Sequence, residues 1–437
     1  MVNAMRSSRV ARSALALPAL LWVVACRDLT TLTQSNPGQV AASEVYVPSN
    51  AQLIVNGAAE DFFCAYNRYV VGSGLFTDEL SVAISNNSNF DYDRRTLSSA
   101  GSYGTGTCGG NQQPPIYTTL STARATADTA LAKLQGWTDA QMPANANRTL
   151  LIAQAATYAG YSLVLLGEGM CSAAVNLGPE LTPTQLFAEA KLRFDAAIAA
   201  STATDAATLA VLNLATLGRA RTLLDQGKTA DAGTDAAKIP AGFVANTQGD
   251  AINSRRQNYS FFSINQSSYS TVDPSFRGLT LDGGAPDPRV AVTDAKRGGT
   301  TSGTQIFTPD KYSAFGTAMP IARYAEAQLI VAEARVATGD LAGAAAAINN
   351  ARNTRPGMPQ YSEANQTAAQ VQSQLVEERR RELFLEGHRL GDIRRLNLTM
   401  LPASGAAFPG GGGFYGTQTC FPLPDVERIN NPNIPRP

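Results

Sequence analysis

Apolar residues return every three or four positions along most of this chain, the spacing of helices that bury one face. The pattern predicts helices over residues 51–69, 116–135, 148–166, 182–200, 205–225, a shorter one to about 238, and a pair within 323–353. A further helix is predicted where the charge-rich sequence QLVEERRRELFLEG runs to Gly387. The chain is therefore predicted to be largely helical.

One helix start can be assigned residue by residue. Thr182 has the side chain of an N-cap, Pro183 suits the first helical position, and Gln185 completes a capping box. The helix that follows is expected to run to about Ala200.

A helix, a glycine and an alanine-rich helix occur twice, with the second copy 112 residues after the first. The glycines are Gly227 and Gly339, where the left-handed conformation would end one helix and turn the chain back. The pattern predicts an all-α fold of tetratricopeptide-like helical hairpins. Alanine richness alone is the alternative explanation for so weak a repeat.

Two stretches interrupt the helical rhythm, at about 72–115 and 240–320. They are rich in Gly, Ser and Asn, and we interpret them as loop insertions in a single domain spanning residues 49–437. Both combine aromatic rings with hydrogen-bonding side chains, the chemistry that a sugar requires. The candidate ligand-binding residues are Tyr92, Tyr259, Tyr269 and Arg277. The alternative is that each ring packs its loop onto the scaffold.

Composition and charge exclude some classes of function. The 437 residues carry 35 Lys plus Arg and 35 Asp plus Glu, and no basic stripe stands out, so nucleic acid is not an expected partner. No phosphate-binding loop, dinucleotide fingerprint or Cys-x₂-Cys metal spacing occurs. No cofactor or metal is therefore predicted.

Residues 1–25 have the pattern of an export signal, with arginines at positions 6, 9 and 12 followed by a short apolar segment. The sequence Val23-Val24-Ala25-Cys26 resembles a bacterial lipobox, which implies cleavage before Cys26 and lipidation of that residue. Residues 26–48 would then form a polar tether. An ordinary secretory signal with an incidental cysteine is the alternative.

Four further cysteines follow, Cys64, Cys108, Cys171 and Cys420. An exported chain meets an oxidising compartment, so two disulfides are expected, with three possible connectivities. We favour pairing Cys64 with Cys108 and Cys171 with Cys420, because the first pair closes a local excursion. Free buried thiols are the alternative.

The charge run near residue 380 has two interpretations. Glu377 and Glu378 precede Arg381 by four and three residues, so each can pair with it. Together with Glu382 they can form a structural ion-pair cluster. A catalytic interpretation would use Glu378 and Glu382 with His388, which is the chain's single histidine. One helical turn is a poor way to place two carboxylates on opposite sides of a glycosidic bond, so we favour the structural interpretation.

Several motifs together resemble the SusD/RagB family of nutrient-binding outer-membrane lipoproteins. They are Arg323-Tyr324-Ala325-Glu326, Ala332-Glu333-Ala334, Gly339-Asp340, Glu378-Arg379-Arg380-Arg381-Glu382-Leu383, Glu386-Gly387-His388-Arg389, Asp392-Ile393-Arg394-Arg395 and the closing Phe421-Pro422-Leu423-Pro424. The resemblance covers the mature chain in outline and is specific for about 320–397 and 420–433. Ile393 and the turn Asn353-Thr354-Arg355 depart from the family pattern.

The resemblance implies a helical scaffold with loops as the ligand surface, and binding without catalysis. It further implies capture of an oligosaccharide or a peptide at the cell surface and delivery to a TonB-dependent β-barrel transporter in the outer membrane. Three alternatives remain: a helical-repeat adaptor that binds protein, a lipid-anchored glycoside hydrolase, and a periplasmic solute-binding lipoprotein.

Overall fold

Side chains cap several helices in the computed structural model, which describes residues 40–85, 87–109, 113–299, 304–409 and 412–436. At the predicted start, the Thr182 side chain accepts a hydrogen bond from the Gln185 amide, and Gln185 Oε1 accepts one from the Thr182 amide at 2.9 Å. The same reciprocal arrangement joins Thr367 and Gln370. The predicted capping box is confirmed, and it sets the first turn of its helix.

Ten helices form the scaffold within the described residues. They are α1 (Ala51–Phe76), α2 (Tyr117–Gly136), α3 (Arg148–Gly169), α4 (Pro183–Ala200), α5 (Ala206–Asp225), α6 (Thr229–Ala236), α7 (Tyr324–Ala337), α8 (Leu341–Arg352), α9 (Ala368–Glu382) and α10 (Arg389–Arg395). Short helices also occur at Ala42–Val45, Asn87–Asp93 and Asp425–Asn430.

Each scaffold helix packs on the one before it, in order from α1 to α8, with α9 against α7. Gly227 and Gly339 both adopt left-handed backbone conformations, with φ of +73° and +77°, at the two predicted turns. A methyl group added at Gly233 would lie 2.5 Å from Ala334 Cβ, so a side chain there would push α6 away from α7. The all-α, helical-hairpin class is confirmed.

Helix α3 has the length and hydropathy of a membrane span, the one such helix in the described part of the chain. In this fold 78% of its most apolar window is buried. It packs against α1, α2, α4 and α5, so its apolar surface is accounted for by protein contacts.

The first helix continues to Phe76, beyond the predicted end at Tyr69, and so takes up part of the segment predicted as loop. Gly72 and Gly74 misled the prediction. A Cβ on Gly72 would lie 2.4 Å from Ile116 Cδ1, so this glycine gives close packing inside a helix and not flexibility. Another helix, Asn87–Asp93, also lies within the predicted loop.

Eight short strands support the loops within the described residues. They are β1 (Leu80–Val82), β2 (Ala173–Ala174), β3 (Glu180–Leu181), β4 (Val244–Asn246), β5 (Ser270–Val272), β6 (Val292–Gly298), β7 (Gln305–Pro309) and β8 (Pro320–Arg323). They pair as antiparallel two-stranded sheets, β1 with β5, β2 with β3, β4 with β8 and β6 with β7. The β1–β5 pair brings the two loop insertions together, since Ser81 lies opposite Thr271.

The charged helix α9 ends at Glu382, earlier than the predicted end at Gly387. Leu383 and Phe384 are buried beyond its last turn, and Gly387 adopts a left-handed φ of +71°. A separate helix, α10, then begins at Arg389. Helix α9 therefore ends where Leu383 and Phe384 pack into the interior.

Both favoured disulfides are present. Cys64 pairs with Cys108 and Cys171 with Cys420, with Cα–Cα distances of 6.1 and 5.1 Å. The first joins α1 to the first loop insertion, and the second joins the end of α3 to the C-terminal segment. Cys26 and the predicted export signal lie outside the described residues.

Candidate functional site

Two members of the predicted charged cluster, Glu378 and Glu382, lie inside the protein, whereas Glu377 and Arg381 are partly exposed. Arg323, at the end of β8, contacts Glu382 at 2.5 Å and Glu386 at 2.9 Å. The side chains of both glutamates are at most 3% exposed. Burial alone would raise the pKa of Glu382, but Arg323 and Arg355 outweigh that effect and lower it to about 2.

The neighbouring part of the cluster pairs differently from the prediction. Glu377 pairs with Arg381 at 2.6 Å, as expected. Glu378 does not pair with Arg381; it accepts hydrogen bonds from Arg289 at 2.5 Å and from Arg352. The reason is orientation, since Glu378 faces the interior with 2% exposure, whereas Arg381 lies on the outer side of the same helix.

The catalytic interpretation of this region meets a steric obstacle. His388 is 4% exposed, and its Nε2 lies 3.3 Å from the Arg221 guanidinium and 4.0 Å from Glu326. Burial lowers the pKa of His388 well below its ordinary value, and Arg221 adds to that effect. Glu378, Glu382 and His388 are therefore packed against protein groups, and no substrate reaches them in this conformation.

A cleft of about 520 Å³ lies instead where the two loop insertions meet the C-terminal segment. Its lining is Asp78, Ser81, Val82, Asp93, Thr271, Asp273, Pro274, Ser275, Arg277, Thr304, Gln305, Leu401, Pro402, Phe408, Pro409 and Tyr415. This volume falls within the range of small-ligand sites. A second hollow of about 430 Å³ lies beside β4, but Arg323 at its base already has both its carboxylate partners.

Asp93 and Tyr415 form the polar part of the cleft floor. Asp93 Oδ2 accepts a hydrogen bond from the Val82 amide at 2.7 Å, and Tyr415 also bonds this carboxyl group. Burial raises the pKa of Asp93 to about 7, although the Val82 amide opposes the shift. Phe408 packs on Tyr415 with ring centroids 5.4 Å apart and supplies the apolar part of the floor.

Asp273 and Arg277 form another part of the cleft lining, its wall. Ser81 donates a hydrogen bond to Asp273 at 2.6 Å, which links β1 to the turn after β5. Arg277 Nε donates to the Val272 carbonyl at 2.7 Å, and its guanidinium lies 4.0 Å from the Phe307 ring centroid. Its two terminal nitrogens have no hydrogen-bond partner among the described residues. Arg277 is thus anchored through Nε, and its two terminal nitrogens can donate hydrogen bonds to a ligand.

The structure places the candidate ligand residues in different environments. Tyr92 is fully buried and donates to the Pro114 carbonyl at 2.6 Å, and Tyr259 is 1% exposed. Neither presents a ring face to a ligand, so the alternative of loop packing describes them. Tyr269 is half-buried against Phe262 and lies outside the cleft lining. Arg277 alone among the four lines the cleft.

Most of the cleft was missed from the sequence. Ser81 and Asp93 lie in the segment predicted as loop, and the alternation of Leu80, Ser81 and Val82 was the available signal for a strand with one face turned to a ligand. Phe408 and Tyr415 sit in a glycine-rich segment that has no periodic pattern at all. Among the described residues, no group of three or more His, Cys, Asp or Glu is placed to hold a metal ion.

Comparison with known proteins addresses the family. A sequence profile of the SusD family matches residues 302–419. A crystal structure of a SusD superfamily protein from Bacteroides vulgatus shares the fold with a TM-score of 0.64 and 15% identity, over 88% of this chain and 97% of that one. The profile match over residues 302–419 and the shared fold confirm the predicted resemblance to the SusD/RagB family.

Two further solved structures are similar to this chain. One is surface glycan-binding protein A from Bacteroides fluxus, with a TM-score of 0.64 and 14% identity over 87% of this chain and 97% of that one. The other is a laminarin-binding SusD-like protein, with a TM-score of 0.59 and 16% identity over 88% and 98%. No curated protein sequence matches the chain. At these identities the structures define the fold.

The segment that matches the SusD family contains all of α7 to α10 and therefore the charged cluster. It also contains Phe408 and Tyr415 from the cleft floor. Ser81, Asp93 and Arg277 lie outside the matched segment, so the profile match covers only part of the cleft.

Proposed function

We propose that the protein binds an oligosaccharide in the cleft between the loop insertions and the C-terminal segment. The observation that carries this proposal is that Arg277, anchored through Nε and with its terminal nitrogens unpaired among the described residues, lines the same cleft as Asp93, Phe408 and Tyr415. Sugars need both kinds of contact, hydrogen bonds for hydroxyl groups and apolar surface for their C–H faces. The glycan and laminarin binding named for two similar structures supports the same class of ligand.

The test is calorimetric titration of the purified protein against a panel of oligosaccharides that includes β-glucans. Arg277→Gln shortens the side chain and removes its terminal charged donors, and we expect about a tenfold loss of affinity. Lys296→Gln is the matched control, because that lysine is 83% exposed on β6 and lies outside the cleft lining. Equal affinity for both variants would place the ligand elsewhere.

The membrane anchor and the transporter partner in this proposal are those that the resemblance to the SusD/RagB family implies. Lipid on Cys26 would hold the protein at the outer membrane, where it would deliver ligand to a TonB-dependent transporter. A cavity shared by both proteins would bury a ligand that each alone holds weakly. Metabolic labelling with a fatty acid should be lost in Cys26→Ala, and the transporter should co-purify from detergent-solubilised membranes. Co-purification of soluble proteins without a transporter would favour the adaptor alternative.

A second candidate, hydrolysis of a glycan, is favoured by one observation. Asp93 and Asp273 share the cleft, and Asp93 has a pKa of about 7, as a general acid requires. However, Asp273 already accepts hydrogen bonds from Ser81 and from the Ser275 amide, which fits a wall residue. Release of reducing ends from the panel, abolished in Asp93→Asn, would establish catalysis. Binding without such release would establish a capture protein.

A further inference from the structure

Arg68, on α1, is a buried cation whose surroundings differ from those of the charged cluster. The residue is only 5% exposed, and its guanidinium lies 3.6 Å from the centroid of the Tyr259 ring. Nη2 reaches one protein acceptor, the Cys108 carbonyl, at 3.4 Å. Nε is buried with no hydrogen-bond partner among the described residues.

No carboxylate in the described part of the chain pairs with Arg68. Burial lowers the pKa of Arg68, and Tyr259 offers the opposing effect. The nearby acidic residues of α1 are already engaged, since Glu60 pairs with Arg256 at 3.1 Å and Asp61 pairs with Arg255. The Tyr259 ring face compensates the Arg68 charge only in part, through cation–π attraction. A buried charge without a full counter-charge is costly, so an anion beside Arg68 would be stabilised.

A small pocket of about 30 Å³ opens beside this guanidinium. Its lining is Arg68, Ser254, Gln257, Tyr259 and Phe262. A space of roughly 10–15 Å³ by this measure holds one water molecule, so the pocket admits a single small ion but no sugar ring or peptide. Ser254 is exposed and lines the pocket, so its hydroxyl can donate a hydrogen bond to an ion held there.

From this geometry we propose that the pocket is a binding site for a small monovalent anion of the chloride class. The anion accepts hydrogen bonds from the Arg68 guanidinium and neutralises it. Arg68 also donates to the carbonyl of Cys108, which lies in the first loop insertion. A bound anion that holds Arg68 in place therefore also holds this insertion against α1. The site is separate from the cleft and does not depend on the proposed function.

The first experiment measures ³⁵Cl NMR line broadening in chloride solutions of the purified protein. We expect saturable broadening that is reversed by added bromide, and a linewidth equal to that of free chloride in Arg68→Gln. The matched control is Arg255→Gln, which removes an arginine that is 45% exposed and should leave the broadening unchanged. Broadening that survives in Arg68→Gln, or that disappears in Arg255→Gln, would overturn the proposal.

The second experiment needs no variant and therefore holds even if Arg68→Gln does not fold. Wild-type crystals soaked in bromide should give an anomalous peak beside the Arg68 guanidinium. A pocket filled by water only would overturn the proposal. So would a bromide peak without saturable broadening in solution, because it would mean binding at crystal concentration only.

Discussion

The charged cluster around α9 and the cleft contain the same residue types, arginines beside carboxylates, but they differ in how completely those groups are paired. In the cluster, Arg323 meets both Glu382 and Glu386. In the cleft, Arg277 is anchored through Nε alone and keeps its terminal donors unpaired among the described residues. Ion pairs to both carboxylates stabilise the fold, whereas an arginine anchored through one nitrogen in a cleft leaves donors for a ligand.

The acidic groups differ in the same sense. Glu382 is surrounded by guanidinium groups that lower its pKa to about 2, although burial opposes them. For Asp93 burial is the largest influence, and it raises the pKa to about 7. The cluster is therefore charged at every ordinary pH, while the cleft floor changes charge near neutrality.

The largest expected effect comes from breaking the cluster. Arg323→Met leaves two buried glutamates short of a partner, and we expect the free energy of unfolding to fall by about 3–5 kcal/mol. Urea unfolding measures this loss. Arg335→Met serves as control, because its partner Asp340 and Arg335 itself are 41% and 55% exposed, and such pairs contribute little. Similar losses in both variants would contradict the distinction between buried and exposed pairs.

Removing the Cys171–Cys420 disulfide is expected to have the next largest effect. Replacing Cys171 and Cys420 by Ser should lower the free energy of unfolding by about 2–5 kcal/mol, because the lost bond closes a loop with a sequence separation of 249. Removing Cys64–Cys108, with a separation of 44, should lower the free energy of unfolding by a smaller amount. The difference between the two losses should be about 1–2 kcal/mol. The reverse order in urea unfolding would show that local packing outweighs loop closure.

The third prediction concerns pH, where the two regions should act in opposite directions. Asp93 holds its proton in the fold up to about pH 7, but its ordinary value is 3.8, so its contribution to stability falls as pH rises from about 4 to 7. Glu382, lowered from 4.5 to about 2, makes stability fall as pH drops through that range. Unfolding midpoints across pH 2–8 measure both slopes.

In that pH series, Asp93→Asn should flatten part of the decline above pH 4 and leave the acid side unchanged. Burial also raises the pKa of Glu79 and of Glu326 to about 7 and raises that of Asp225, and these groups contribute to the decline that remains. An identical profile in wild type and Asp93→Asn would contradict the raised pKa of Asp93.

The smallest effect on stability is expected at the cleft rim. Gln305→Ala removes an exposed side chain whose Nε2 bonds Asp294 at 2.9 Å, so the free energy of unfolding should change by less than about 0.5 kcal/mol. Oligosaccharide affinity should nevertheless fall, which titration calorimetry measures. A large loss of stability with unchanged affinity would make Gln305 part of the scaffold.

The scaffold could be predicted because its signals are local. Capping at Thr182, left-handed turns at Gly227 and Gly339, and apolar spacing each depend on residues close in sequence. The errors arose where a local signal had a distant cause. Gly72 was interpreted as loop, but it is small because Ile116 packs against it.

The cleft could not be assembled in this way, because its walls come from three separated segments. Ser81 and Asp273 meet only when β1 pairs with β5. Tyr415 bonds Asp93 although most of the sequence lies between them. Aromatic content pointed to Tyr92 and Tyr259, yet a ring buries more apolar surface in the interior than at a ligand site. Sequence composition does not distinguish those two uses.

The Cys171–Cys420 bond makes residues 171–420 a closed covalent ring, which bears on how the protein withstands proteases. A single cut in any loop of that ring opens it but releases no fragment. The nicked chain remains one molecule until the bond is reduced, so it should migrate at full mass on a non-reducing gel and as two pieces on a reducing one. Phe408 and Tyr415 therefore stay attached to the helical scaffold after damage that would detach a simple C-terminal tail.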